Sequence, residues 1–150
     1  MDFYPWFKTL HILFAIVAVG LNISYGIWQV RAARESEHTG FALRGIKFLD
    51  DRVANPSYLG LLVVGIILVL MGPYEFTTFW VAVAIGLYIV MGIVAIAFYS
   101  PTLKRQIAAY EADGAQSAEF QALGARGRVI GIILGLLVVA IIVLMVVKPS

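Results

Sequence analysis

The chain has 150 residues, of which 61% are hydrophobic and 13% charged, with a net charge of +2 and no cysteine. A soluble domain is roughly 45–50% apolar and about 25% charged, and a small domain cannot bury an excess of this size. A soluble globular fold, a disordered chain and a disulfide-stapled secreted fold are therefore excluded, which leaves an integral membrane protein whose main partner is the lipid bilayer.

Four apolar runs are expected to span the membrane, over roughly 6–29, 55–71, 76–99 and 129–147. A crossing helix needs about 20 residues, with a range of about 17–25, so the second run is the shortest that qualifies. Each must be helical, because lipid offers no partner for backbone N–H and C=O groups, and the alternation of a barrel strand is absent. The expected fold is all-α: one transmembrane domain over 1–150, built as a four-helix bundle. The first run follows Asp2 rather than a basic stretch and carries polar residues throughout, so it reads as a retained helix, not a cleaved signal.

Breakers mark the expected ends. Asn55–Pro56 reads as N-cap and first helical residue of the second span. Gly72–Pro73 should stop that span and fold spans two and three into a hairpin, and Ser100–Pro101 should end the third. Trp6, Tyr74, Phe76, Trp80 and Tyr99 fall where amphipathic rings meet the headgroups. Ala42, Ile46, Leu49 and Val53 recur at helical spacing, which predicts a short amphipathic helix on the membrane or leading into span two. The stretch 102–127 should continue span three as helix, break near Asp113–Gly114, and resume.

The charges orient the bundle. Nine of the eleven Lys and Arg lie between spans one and two (Arg31, Arg34, Arg44, Lys47, Arg52) or between three and four (Lys104, Arg105, Arg126, Arg128). The positive-inside rule then puts both long loops in the cytoplasm and both termini outside. The basic residues form no single patch, so a nucleic-acid partner is not expected.

Span one carries the polar exceptions. Lys8, His11, Asn22, Tyr25 and Gln29 fall on one side of the helix, with Ala15 and Ala18 among them, while Thr9 and Ser24 lie where a hydroxyl bonds its own backbone. Intramembrane polar groups face a bundle interior, as interhelical glue or as the lining of a ligand, ion or cofactor site. His11 is the candidate ligand for haem or metal, and no Cys or acidic cluster accompanies it. Asp50–Asp51–Arg52 reads as a solvated group at a helix start, and Tyr88 should find its hydroxyl partner on the span-one stripe. Span four holds Gly127, Gly131 and Gly135 at spacing four, a helix-packing signal that a neighbouring helix or a second copy would satisfy. No phosphate-binding loop, dinucleotide fingerprint, nucleophile elbow or zinc-protease motif is present, and no residue is assigned to catalysis.

The opening Trp6–Phe7–Lys8–Thr9–Leu10–His11–Ile12–Leu13, with Gly20, resembles a family of small bacterial proteins described as predicted integral membrane proteins of unknown function. These are grouped loosely with the membrane domain of copper-resistance protein D and with four-helix membrane protoporphyrinogen oxidases. The resemblance implies a place in a bacterial inner membrane and haem binding at His11, while spans two to four lack the basic residue on which the oxidases depend. Three roles follow as expectations. The first is a structural or accessory protein, alone, as a homo-oligomer or with a membrane partner. The second is a haem- or metal-binding redox protein using His11. The third is a small transporter or channel lined by the polar face of span one.

Overall fold

The computed structural model describes residues 2–150. Among these, four helices are long and apolar enough to cross a membrane: α1 (Tyr4–Arg34), α2 (Ser36–Met71), α3 (Phe79–Asp113) and α4 (Ala118–Val147). Among the described residues no strand forms. Only 11–17% of the most apolar 18-residue window of each helix is buried within the chain, so most of the apolar surface is left for lipid.

Neither internal proline breaks its helix. Asn55 and Ser100 keep helical backbone (φ −60°, ψ −45° and φ −60°, ψ −44°), so Asn55 is not an N-cap and Ser100–Pro101 does not end the third helix. A proline in a helix lacks an N–H and its ring collides with the carbonyl one turn back. In both places a π-helical turn stands two residues upstream, Asp50–Ala54 before Pro56 and Ala95–Tyr99 before Pro101. The wider turn absorbs the proline without a break. The amphipathic segment Thr39–Leu49 therefore runs directly into the second apolar run, and Ser100–Asp113 prolongs the third. The break near Asp113–Gly114 stands as expected. Gly114 takes φ 77°, and Ser117 caps α4 by accepting from the Phe120 N–H at 3.2 Å.

The helices pair differently from the expected hairpin. The apolar part of α2 packs along α1, and α3 packs along α4, while the apolar segments 55–71 and 79–94 keep their backbones apart. α1 and α2 approach closely because glycines on α2 receive aromatic rings from α1. A Cβ on Gly60 would lie 2.7 Å from Phe14 Cζ, and one on Gly65 3.0 Å from His11 Cε1. The close-approach glycines thus sit on α2.

The core sits at the end that carries the basic loops, hereafter the basic end. There Leu43, Ile46, Leu103, Phe120, Leu123 and Ile130 pack beneath Tyr25 and Tyr99, and α2 and α3 touch each other. Arg44 on α2 reaches Glu111 on α3 at 3.4 Å. At the opposite end Lys148 donates to the Tyr74 hydroxyl at 3.1 Å and lies 4.7 Å and 5.5 Å from the Tyr74 and Trp80 ring centres. Trp80 stacks edge-on against Tyr74 and is buried, as is Tyr99 at the other end, so neither is a headgroup anchor.

Candidate functional site

The polar side of α1 divides along its length. Lys8 is exposed. His11 turns toward α2, where Gly65 leaves room for the ring and the Leu61 main chain lies close; its Nδ1 is buried and makes no hydrogen bond. Asn22 also reaches α2, donating to the Tyr58 hydroxyl and to the Ala18 carbonyl, the latter at 2.9 Å. Tyr88 on α3 donates to the Tyr58 carbonyl at 2.6 Å, so its partner is the α2 backbone and not the α1 stripe. Asn22, Tyr58 and Tyr88 thereby tie three helices together at mid-depth. Thr9 and Ser24 bond their own backbone, at Pro5 (2.9 Å) and Leu21 (2.7 Å).

Beside this knot a cavity of about 510 Å³ opens, lined chiefly by α1 and α4 and also by residues of α2 and α3. Small-molecule sites occupy roughly 300–1,000 Å³, so the space is large enough for a ligand. Asn22, Tyr25 and Gln29 of α1 line one wall, and Gly127, Gly131 and Gly135 of α4 line the facing one. A Cβ on Gly131 or Gly135 would meet nothing within 4 Å, while one on Gly127 would touch only Thr102 Cγ2 at 3.8 Å. The three glycines form a smooth floor of the cavity; α3 abuts Gly127, and no helix is seated against Gly131 or Gly135.

The lining is graded. Toward the basic end it holds Ser36, Thr39, Gln106, Gln116, Gln121 and Arg128; toward the other end it holds Ile132, Leu136, Val138 and Val139. No carboxylate lines it among the described residues, and Arg128 forms no ion pair there. Two polar lining side chains are almost wholly buried, and one of them holds a buried polar atom with no protein partner. Tyr25 is 2% exposed and its hydroxyl is unpaired. Gln106 is 6% exposed and lines the same cavity. Burying a hydroxyl unpaired costs about 1–3 kcal/mol, so Tyr25 points to something that binds it.

Several of these groups escape a sequence reading. Gln106 and Arg128 lie in what looks like a connecting loop, and only the continuous helix through Pro101 brings Gln106 under the bundle. Asp50 is another. It is not a solvated residue at a helix start: it sits in the π turn of α2, 8% exposed, with Tyr25, Tyr58 and Tyr99 within Coulombic reach.

His11, the candidate haem or metal ligand, stands outside the cavity. Nδ1 is closed off by α2, which leaves only Nε2 for coordination, and the cavity does not extend to the ring. Among the described residues no cluster of His, Cys, Asp or Glu could complete a metal shell.

Compared with known proteins, residues 5–149 match the family model described as "Predicted integral membrane protein (DUF2269)". No curated protein and no solved structure matches the chain.

Proposed function

Because the chain belongs to this family of predicted integral membrane proteins, we propose that it serves as an accessory protein of the bilayer that holds an amphiphilic molecule between α1 and α4. The observation that carries this reading is the buried, unpartnered hydroxyl of Tyr25 in a cavity of ligand size whose lining also holds Gln106. A void too small or too apolar for a ligand would not retain it, since an unpaired polar group in lipid-like surroundings is expensive. The graded wall supports an amphiphile over a free ion: amides and one guanidinium at one end, aliphatic side chains and glycine backbone at the other. The basic loops support the orientation with this polar end in the cytoplasm and both termini outside.

Filling the cavity tests the reading. Gly131→Leu together with Gly135→Leu places two side chains in open space, so the fold should persist while the ligand is excluded. Native mass spectrometry of protein released from mild detergent should show a bound amphiphile on the wild type and none on the double variant. A wild-type protein that carries nothing, or a filled variant that carries as much, would overturn the reading.

A further inference from the structure

We infer that the occupant is an anionic phospholipid whose phosphate meets Arg128 and Gln106, whose ester carbonyl meets the Tyr25 hydroxyl, and whose acyl chain lies along Gly131 and Gly135. This rests on the cavity being a ligand site and specifies the ligand's chemistry.

The order of groups with depth is the argument. Arg128 stands at the foot of the apolar run of α4, and Gln29 at the foot of that of α1. Tyr25 is four residues deeper than Gln29, which at 1.5 Å per residue is about 6 Å, one helical turn. Gly131 and Gly135 lie about 4–10 Å beyond Arg128 by the same rise. From the headgroup inward, a glycerophospholipid presents a phosphate, then ester carbonyls about a turn deeper, then hydrocarbon. The cavity presents a cation with amide donors, then, about a turn deeper, a lone hydroxyl at the level where the wall without Cβ atoms begins at Gly131, and that wall continues inward to Gly135.

Charge favours an anionic headgroup. Arg128 is unpaired, and no carboxylate among the described residues lines the cavity to neutralise it. A guanidinium presents a planar fork of donors that matches phosphate oxygens, and an amide at Gln106 adds a donor beside it. Gly124 makes space for that amide, since a Cβ there would lie 3.1 Å from Gln106 Nε2. A zwitterionic lipid would add a cationic group with no carboxylate to receive it.

Full-length protein in mild detergent would be equilibrated in parallel with phosphatidylglycerol and with phosphatidylcholine, and retained lipid counted by native mass spectrometry. Phosphatidylglycerol should be retained about tenfold over phosphatidylcholine, a difference of about 1.4 kcal/mol. Arg128→Gln should bring the two lipids to parity with the fold intact. Tyr25→Phe should weaken both lipids alike and leave their ratio unchanged. A third arm adds inorganic phosphate at millimolar concentration. Displacement of the lipid by phosphate would show a free-anion site and overturn the inference. Equal retention of both lipids by the wild type would overturn the headgroup assignment and leave the cavity reading standing. Retention of neither by folded protein would overturn both.

Discussion

Asp50 shows how a single residue departs from its sequence context. Two adjacent aspartates and an arginine suggest a solvated turn, yet the helix continues, and Asp51 faces out to pair with Lys47 while Asp50 faces in. Burial pushes the Asp50 carboxyl above the usual carboxylate range; Asp51 adds to the rise and Lys47 opposes it. Asp50 lies outside the apolar segment of α2, so its titration reads the basic-end core. A carboxyl raised in the folded state contributes full stability below its unfolded pKa and loses it as pH rises through the folded value. Asp50→Asn should therefore raise the melting temperature in detergent at pH 7, and the gain should vanish near about pH 4, where the unfolded carboxyl also protonates. A gain equal at both pH values would show that charge is not the cause. The substitution tests a residue whose burial no local pattern announces, because the π turn decides which of the two aspartates points inward.

At the scale of elements, glycines that look alike in sequence do opposite things. Gly127, Gly131 and Gly135 carry the familiar small-residue spacing, yet the last two border open space, whereas the less regular Gly60 and Gly65 hold α1 against α2. Gly60→Ala drives a Cβ into the Phe14 ring at 2.7 Å and should lower the melting temperature, at a cost of order 1–3 kcal/mol for overpacking. Gly131→Ala meets no neighbour and gains helix propensity worth up to about 1 kcal/mol, so it should be neutral or stabilising. Thermal unfolding of both variants in one detergent checks the contrast; destabilisation of the same size at both sites would place a helix against Gly131. The spacing of small residues is legible in the sequence, but whether a helix fills the groove they leave depends on how far α1 stands from α4. The two prolines teach the same lesson. Each looks like a terminus, and each is absorbed by a π turn whose extra residue has no sequence signature of its own.

At the scale of the molecule, the chain is a bundle closed at one end and parted toward lipid along one side. The basic-end extensions of α2 and α3 form the packed core, and Arg44–Glu111 crosses between them at the surface. Both partners of that pair are more than half exposed, so Glu111→Gln should change stability by less than about 1 kcal/mol and the core should persist. The natural absence of cysteine makes orientation directly measurable. Ser150→Cys should react with an impermeant maleimide in intact cells, and Ser36→Cys only after the membrane is opened. The reverse pattern would invert the orientation and put the polar mouth of the cavity outside.

The sequence by itself determined the class of the protein: a membrane protein of four helices, with its polar residues gathered on the first and its cations at one end. Those features follow from the bilayer, which demands about 20 apolar residues per crossing and an internal partner for every backbone group, whatever the neighbours do. It also foretold the helix that resumes after Gly114 and the self-bonded hydroxyls of Thr9 and Ser24, since these are local backbone matters. Tertiary structure alone decided which helices pair, which aspartate is buried, that Tyr25 and Gln106 share a cavity, and that the glycines of α4 are its floor. Lipid is as apolar as leucine, so hydropathy does not choose between a neighbouring helix and the membrane. Packing shape and a few hydrogen bonds make that choice, and they act between residues far apart in the chain.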